Sequence, residues 1–348
     1  MSEKHIQGLT RSRLCELLDG MRSRRAVLLG DMCLNVYWFA DMTQSKLSRE
    51  TPHFPLPVVR EVMSAGAGGN AAVNLAALCE SVTPVGVIGN DWRGDCLCRV
   101  LAERGINTAC LLTVSGRVTN AYCKPMRRGY AGVDVEDPRI DFEASEPLDR
   151  EAEDQLLDRL EEACRGADVL CVSDQFAFGC VSERVRRRVC ELAEGGLLTV
   201  VDSRYRIGLY RHCILKPNEI ECARALGHED TFLGAKNADE EKARAAALSL
   251  AEQTASEICL TLGERGCLIL RGGEVSRIEA VPTNPPIDVV GAGDCFLSAF
   301  SLALAAGASS HEAGVIGSMA SAICVKKLNT TGSADRQELL ALLEKQGE

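Results

Sequence analysis

Short apolar runs alternate with helical patterns along most of this 348-residue chain, and that alternation limits the fold more than any other sequence feature. Apolar strands separated by helices are typical of a parallel sheet covered on both faces. We therefore predict an α/β fold with a mostly parallel central sheet and helices on both faces. The predicted strands cover 26–31, 83–89, 168–173, 197–202, 213–216 and 257–262, and the predicted helices cover 68–81, 95–105, 149–165, 182–195, 219–226, 239–255, 294–306, 310–326 and 335–346.

Two stretches interrupt the alternation. Residues 35–62 and 112–144 are rich in Thr, Pro, Val and aromatic side chains and have no helical period. We predict that they form strands that project from the main sheet as a small β lid. Residues 25–348 are interpreted as one domain, preceded by an N-terminal helical extension over 1–24. The apolar side of that helix is predicted to consist of Leu9, Leu14, Leu17, Leu18 and Met21.

The overall charge restricts the partners. Acidic residues outnumber basic ones by 49 to 39, a formal net charge of -10, which disfavours non-specific binding of nucleic acid or anionic membranes. No stretch approaches 18 uninterrupted apolar residues, and the N-terminus lacks the apolar segment of a signal peptide. These features predict a cytoplasmic protein with no nucleic-acid or membrane partner.

The chain is rich in cysteine, with 17 residues, but they lie mostly inside apolar runs such as 169–174 and 257–263. We interpret them as small buried hydrophobic side chains. There is no CxxC motif and the five histidines are scattered, so a zinc site has little support.

Polar side chains follow several of the predicted strands. Asp31, Asp174, Asp202 and Asn218 all lie at or just after a strand end. In open parallel sheets, ligands bind outside the carboxyl ends of the strands. The four residues together therefore predict one crevice at that edge.

The strongest motif is GAGD, formed by Gly291, Ala292, Gly293 and Asp294 ahead of an almost wholly apolar helix. Glycines at a helix N-terminus let an anion approach unpaired amides and the positive end of the helix dipole. A carboxylate there is placed to accept a proton from an attacking hydroxyl. The alternative is that Asp294 is only the helix N-cap.

A second glycine-rich motif, GAGGNAA, has two interpretations. Gly66, Gly68 and Ala71 fit the dinucleotide-binding pattern, with Asp91 as the ribose-binding acid, which would indicate an NAD-dependent oxidoreductase. Prolines interrupt the segment that would have to be the preceding central strand, which weakens that interpretation. The alternative is close approach of the helix to a ligand or to the sheet.

Two further motifs suit a nucleotide. In KPNEIE, Asn218 and Glu221 lie on one helix face and suit a hydrated Mg²⁺ beside phosphates, although Asn218 as a helix cap is the simpler interpretation. TLGERG, residues 261–266, is explained by a hairpin turn, and the same turn suits contact with phosphates.

In this order the motifs resemble the ribokinase, or PfkB-type, carbohydrate kinases. Within that family, the chain is similar to the kinase domain of the bacterial heptose-phosphate kinases of ADP-heptose synthesis. The resemblance runs from about residue 25 to residue 345 and implies a ribokinase-like fold. It rests on GD (30–31), GGNAAVN (68–74), Asp174, NEIE (218–221), TLGERG (261–266) and DVVGAGD (288–294), and for the subgroup on segments 37–39, 46–59, 139–143, 172–179 and 326–334.

The resemblance implies ATP-dependent phosphorylation of a sugar or sugar phosphate, with ATP, Mg²⁺ and in some members K⁺. It implies that Asp294 is the general base and that the amides of Gly291, Ala292 and Gly293 form the anion hole. The other implied sites are Asn218 and Glu221 for Mg²⁺ (Glu221 through water), Thr261, Gly263 and Gly266 for the nucleotide, Asp31, Gly68, Gly69, Asn74 and Asp174 for the sugar, and Asp288 for K⁺.

Departures from the subgroup's pattern lie where the sugar would be recognised. Asn35 replaces an Asp, Gln175 replaces a Tyr, and Phe178 stands near the position of a Lys. The exact sugar therefore stays open, and so does a non-catalytic sugar sensor, which the presence of Asp294 argues against. Lid strands can pair between subunits, so a homodimer stands beside a monomer as an alternative.

Overall fold

The structure is a computed structural model that describes residues 5–228, 240–328 and 331–346. Within these ranges the strands are β1 (His5–Ile6), β2 (Leu9–Thr10), β3 (Arg25–Gly30), β4 (Met32–Asp41), β5 (Val58–Ala67), β6 (Ser81–Gly89), β7 (Leu111–Val114), β8 (Asn120–Arg128), β9 (Asp134–Glu136), β10 (Ile140–Phe142), β11 (Val169–Asp174), β12 (Thr199–Ser203), β13 (Ile214–Leu215), β14 (Glu257–Thr261), β15 (Cys267–Arg271) and β16 (Glu274–Ile278). The helices are α1 (Arg11–Arg22), α2 (Gly68–Ala76), α3 (Trp92–Ala102), α4 (Arg150–Cys164), α5 (Glu183–Glu194), α6 (Glu219–Ala225), α7 (Glu240–Thr254), α8 (Ala292–Ala305), α9 (Ser310–Cys324) and α10 (Arg336–Gln346).

The main sheet has nine strands in the order β16-β15-β14-β13-β12-β11-β3-β6-β7. The strands from β14 to β7 in that order are all parallel, and β15 and β16 add an antiparallel edge. This arrangement confirms the predicted α/β fold with a mostly parallel sheet.

Both faces of the main sheet are buried, and β3 shows how. Ala26 and Leu28 point into one hydrophobic core, while Val27 and Leu29 point into the other, because successive side chains of a strand face opposite sides. Helices α1–α3 and α8–α10 supply the first core, and α4–α7 supply the second. Helices therefore cover both faces, as the apolar strands predicted.

A five-stranded sheet, order β10-β8-β4-β5 with β9 paired to β8, lies apart from the main sheet. Strand β4 runs antiparallel to β5 and parallel to β8. Most of its residues come from the two stretches predicted as a lid, 35–62 and 112–144. We call this sheet the lid.

Several predicted boundaries differ from the structure, among them the start of the second lid segment, since residues 112–114 belong to β7 of the main sheet. Leu9 lies in β2 instead of on the N-terminal helix, because Thr10 caps the N-terminus of α1 by accepting the amide of Arg13. Helix α3 begins at Trp92 because Asp91 caps it. Helix α2 ends at Ala76, since β6 already begins at Ser81.

Among the residues of the three described ranges, no helix is both long and apolar enough to cross a membrane. Most of the cysteines are buried, including Cys171 and Cys259 in the central strands, which confirms their interpretation as small hydrophobic side chains.

Ala67, the residue before α2, is strained. Its φ of 46° and ψ of -126° lie in a region that is essentially restricted to glycine. We expect Ala67→Gly to raise the free energy of unfolding by about 1 kcal/mol, measured by urea denaturation. The matched control is Ala245→Gly at an exposed position of α7, which should lower the free energy of unfolding by about 1 kcal/mol. If both substitutions changed the free energy of unfolding in the same direction, Ala67 would not be strained.

Candidate functional site

The site is built around the start of α8. Gly291 is the residue before the helix and has a φ of 83°, a left-handed conformation that favours glycine. A side chain on Gly291 would also meet the Asn70 amide at 2.9 Å. Asp294 lies in the first turn of α8 and makes no capping hydrogen bond, so its interpretation as the N-cap is wrong.

Only one of the four amides of the GAGD motif has a backbone acceptor among the described residues. Ala292 donates to the Val289 carbonyl over a long 3.3 Å. Within the described part of the chain, no backbone carbonyl accepts the amides of Gly291, Gly293 or Asp294. Unpaired amides at a helix N-terminus, together with the helix dipole, form a site that favours an anion.

Asp294 is held by a chain of two asparagines on α2. The Asn70 side-chain amide donates to Oδ2 of Asp294 at 2.6 Å. The Asn74 amide in turn donates to the backbone oxygen and side-chain oxygen of Asn70, at 2.9 and 3.3 Å. Asn74, predicted to contact the sugar, therefore orients Asn70. No donor among residues 5–228, 240–328 and 331–346 bonds to Oδ1 of Asp294, which leaves this oxygen for another partner.

Burial raises the pKa of Asp294 to about 6, because a dense surrounding disfavours the charged carboxylate even though the residue as a whole is partly exposed. The neighbouring carboxyl of Asp202 raises that pKa further. The hydrogen bond from Asn70 and the positive charges of Lys216 and Arg204 act in the opposite direction.

Sequence analysis missed Lys216, which completes the site. It follows β13 directly and forms an ion pair with Asp202, which follows Val201 on the neighbouring β12, with Nζ and Oδ2 3.0 Å apart. Lys216 is only 3% exposed and Asp202 only 7%. Burial alone would lower the pKa of Lys216, but Asp202 and Glu221 raise it above its ordinary value. The lysine is therefore a fixed positive charge.

Lys216 lies next to the anion site. A Cβ built on Gly293 would be 3.8 Å from its Nζ. The sequence did carry a signal for this residue, because Lys216 is a single lysine at the end of an apolar strand. A lysine is almost never fully buried unless it is paired with an acidic group.

Asn218 and Glu221 form a capping box at the start of α6. The Asn218 amide donates to Glu221 Oε2 at 2.8 Å, and the Glu221 amide donates to Asn218 Oδ1 at 2.9 Å. Asn218 is therefore a helix cap, as the simpler interpretation predicted.

The carboxyl group of Glu221 lies near a second carboxyl group, an arrangement that favours a bound cation. Burial and the nearby Asp202 raise its pKa to about 7, so a divalent cation near the two carboxyls would relieve their repulsion. Among the described residues, no group of three or more metal-binding side chains is present. The repulsion between Glu221 and Asp202 fits a Mg²⁺ ion, which binds through one or two carboxyl groups, water and phosphate oxygens.

The TLGERG segment is a hairpin turn between the antiparallel strands β14 and β15, as its simpler interpretation predicted. Thr261 donates from both its amide and its hydroxyl to the Pro217 carbonyl, which brings this turn beside the KPNEIE segment. Gly263 and Gly266 both have positive φ, of 59° and 88°. The predicted nucleotide and magnesium residues therefore lie together.

The Asp31 side chain differs from the prediction that it contacts a sugar. It is 1% exposed, and its oxygens accept the amides of Gln175, Phe176 and Cys180 at 2.6–2.8 Å. Asp31 thus anchors the loop that follows β11.

Asp174 is also occupied by protein donors. Its carboxylate accepts two hydrogen bonds from the Arg206 guanidinium, at 2.6 and 3.2 Å, and one each from the hydroxyls of Ser203 and Tyr210. At 1% exposure, this carboxylate has no free face toward the crevice. Asp174 therefore fixes the ends of β11 and β12.

The two glycines at the start of α2 pack closely against neighbouring parts of the structure. The Gly68 amide donates to the Asp31 carbonyl at 2.9 Å, and Gly68 and Gly69 are both buried. The preceding β5 is an antiparallel strand of the lid, whereas the dinucleotide fingerprint needs a parallel strand of a βαβ unit. Asp91, the proposed ribose ligand, caps α3. The structure therefore removes the basis for the NAD interpretation.

The segment before GAGD carries Asp288. Its Oδ1 accepts the Val290 amide at 3.0 Å, and its own amide donates to the Val325 carbonyl at 2.8 Å. These bonds tie the segment to the end of α9.

Comparison with known proteins finds the same family that the sequence motifs resemble. A sequence model described as the pfkB family of carbohydrate kinases matches residues 59–337. The bifunctional protein HldE of Citrifermentans bemidjiense is 33% identical over 329 residues, which cover 92% of this chain and 63% of that protein. This chain spans 59–64% of three curated relatives of that name, HldE of Citrifermentans among them.

Solved structures share the fold. The phosphofructokinase-2 of Escherichia coli, in complex with substrates and products, has a TM-score of 0.70 at 20% identity, covering 92% of this chain and 99% of that one. The ribokinase of Arabidopsis thaliana, complexed with ribose and ATP, has a TM-score of 0.68 at 19% identity, with the same coverage. The chain therefore has the ribokinase-like fold.

Proposed function

This chain belongs to the pfkB family of carbohydrate kinases, and we propose that it transfers the terminal phosphoryl group of ATP to a hydroxyl of a sugar or sugar phosphate. One observation carries the proposal: a carboxyl with a raised pKa, Asp294, shares a helix N-terminus with unpaired amides. A base for the acceptor and a site for the transferred anion are thus side by side, as in-line transfer requires.

Asp294 acts as the general base in this proposal. Asn70 occupies Oδ2, so Oδ1 takes the proton of the acceptor hydroxyl. A pKa of about 6 keeps Asp294 mostly ionised at neutral pH yet basic enough to accept a proton as the hydroxyl attacks.

The anion site stabilises the charge of the transferring group. The amides of Gly291 and Gly293, which have no backbone acceptor among the described residues, and that of Ala292, held by a long 3.3 Å bond to Val289, contact it from the helix in this proposal, and the fixed charge of Lys216 adds to their field. Phosphoryl transfer needs positioning and charge stabilisation more than covalent chemistry, which such preorganised donors supply.

The remaining predicted residues complete the proposal. ATP would lie along the turn of Thr261, Gly263 and Gly266. Mg²⁺, held through water near Glu221 and Asn218, would neutralise phosphate charge when bound. K⁺ would bind near Asp288.

For the acceptor, we propose a site between Gly68–Gly69 of α2 and the lid, with Asp31 and Asp174 acting indirectly by fixing the loop 174–180. The likeness to heptose-phosphate kinases makes a heptose 7-phosphate the first candidate. Of the basic residues of β8, Arg127 and Arg128 are paired with Asp137 and Asp134, whereas Lys124 contacts only the hydroxyl of Tyr37.

The acceptor can be identified by ATP consumption over a panel of sugars and sugar phosphates that includes heptose 7-phosphate, ribose and fructose 6-phosphate. The proposal expects ADP production that depends on one class of acceptor. Tight sugar binding without turnover of any acceptor would instead support a sensor.

The Asn70 hydrogen bond leads to a pH prediction. It stabilises ionised Asp294, so Asn70→Ala should raise the pKa of Asp294 above its value of about 6. Because the ionised form is the base, the acidic limb of the kcat–pH profile should move to higher pH by about one unit. Loss of activity with an unmoved limb would mean that Asn70 does not act through Asp294.

A further inference from the structure

Lys124, in the lid strand β8, is a buried cation without an acidic partner. Its side chain lies in a residue that is only 8% exposed. The ammonium group is 3.4 Å from the Tyr37 hydroxyl and 5.0 Å from the centre of the Tyr37 ring. Within the three described ranges of the chain, no carboxylate lies within ion-pair distance of this ammonium. A lysine is almost never this buried unless it is paired, so its position needs an explanation.

Neighbouring cations of the lid do have acidic partners. The Arg128 guanidinium donates to both oxygens of Asp134, at 2.8 and 2.6 Å. The Arg139 guanidinium donates to both oxygens of Asp141, at 2.6 and 2.7 Å. An ammonium has three donors, and among the described residues only the Tyr37 hydroxyl accepts from Lys124. Lys124 therefore has donors left for a ligand.

The face of the lid that carries Lys124 is turned toward the proposed acceptor site. Because side chains alternate along a strand, Tyr122 and Lys124 share one face of β8, while Ala121 and Cys123 share the other. Ala121 and Cys123 belong to the hydrophobic core that α2 and α3 supply. On the opposite face, the Tyr122 ring lies 5.8 Å from the ring of Phe176, in the loop 174–180 that borders the acceptor site.

Lys124 lies toward the outer part of this face. In the parallel pairing of β4 with β8, Tyr122 is opposite Asn35 and Lys124 is opposite Tyr37. Strand β4 leaves the main sheet just after Gly30, so the level of Lys124 is farther from that sheet by two residues, about 7 Å. An acceptor with its reacting hydroxyl at the start of α8 would therefore direct its opposite end toward Lys124.

We propose that Lys124, together with the Tyr37 hydroxyl, binds an anionic group at the far end of the acceptor, so that the substrate is a sugar that already carries a phosphate. The assignment rests on the proposed function and names its substrate class. A phosphate would supply the negative charge that the described residues do not place beside this ammonium. Lys124 is then a specificity-determining residue, which selects phosphorylated over unphosphorylated sugars.

A first test measures stability without any ligand. Lys124→Met keeps the length of the side chain and removes the ammonium, and it leaves no buried carboxylate without a cation. The midpoint of urea denaturation should therefore not fall, in contrast to the fall expected where a lysine is paired with a buried carboxylate. A clear fall of that midpoint would make Lys124 a structural residue and overturn the assignment.

A second test measures acceptor kinetics with ribose, fructose and heptose, each beside its phosphate ester. Wild type should turn over a phosphorylated member and not its unphosphorylated counterpart. Lys124→Met should raise KM for that phosphorylated acceptor about 10- to 100-fold, the range of a lost hydrogen bond between charged groups. Its kcat and its KM for ATP should stay within about twofold of the wild-type values.

The matched control is Arg128→Gln, because Arg128 lies on the same face of β8 but is already paired with Asp134. It should leave KM for the acceptor within about twofold. Turnover of unphosphorylated sugars alone, or an unchanged acceptor KM in Lys124→Met, would overturn the role of Lys124 and leave the kinase proposal standing. A wild-type protein that forms no ADP with any member of the panel would remove the kinase proposal as well.

Discussion

Replacing Asp294 by Asn is expected to lower kcat by about 10²- to 10⁴-fold, the usual contribution of a general base. The amide has the shape of the carboxyl and can still accept the Asn70 hydrogen bond through its oxygen. It cannot accept a proton from the acceptor hydroxyl. Affinity for ATP should change little, so the loss should appear in kcat measured at saturating ATP and acceptor.

A suitable control is Asp95→Asn. Asp95 also lies in the first turn of a helix, α3, but it is exposed and remote from the site in sequence and contacts. Its replacement should leave kcat within about twofold, since exposed surface substitutions usually have small effects. Equal activity of wild type and Asp294→Asn would show that Asp294 is not the base.

Replacing Lys216 by Met is expected to lower the free energy of unfolding by about 3–5 kcal/mol. Asp202 would then remain buried, at 7% exposure, without the cation that neutralises it. The midpoint of urea denaturation should fall accordingly. Activity should also fall, because the anion site loses its fixed positive charge.

The double variant Lys216→Met with Asp202→Leu separates the two effects. Replacing both members of a buried ion pair by apolar side chains is often neutral for stability, so most of the lost stability should return. Activity should not return. If Lys216→Met alone lowered the free energy of unfolding by less than about 1 kcal/mol, the ion pair would not be important for stability. Full activity in the double variant would exclude a role of Lys216 in phosphoryl transfer.

The fold could be predicted from the sequence because the spacing of apolar residues along an element indicates which of its faces are buried. Strand β3 is apolar at every position from Ala26 to Leu29, which is a pattern that only a strand buried on both faces needs. The lid was predicted from its composition, but its pairing was not. The parallel contact of β4 with β8 joins residues such as Asn35 and Tyr122, and a local pattern carries no information on such distant partners.

The site was predicted only in part, for the same reason. The GAGD motif gave the position of Asp294, yet its partner Asn70 is 224 residues away in sequence. Lys216 and Asp202 were visible as polar residues at strand ends, but their pairing depends on the register between β12 and β13.

The strand-end aspartates show a further limit of sequence reasoning. Asp31 and Asp174 do lie at the predicted edge of the sheet, but protein donors occupy their carboxylates. Those donors include backbone amides of the loop after β11, and amides have no signature in the sequence. The type of residue therefore predicted the location and not the partner.

The most direct test of the account is the transfer itself, followed with ATP labelled at the terminal phosphoryl group and the acceptor that the panel identifies. We expect the label to appear in the phosphorylated acceptor in equal amount to the ADP formed, and to be nearly absent with Asp294→Asn. ADP formation without label in any acceptor would contradict the assignment of this chain as a carbohydrate kinase.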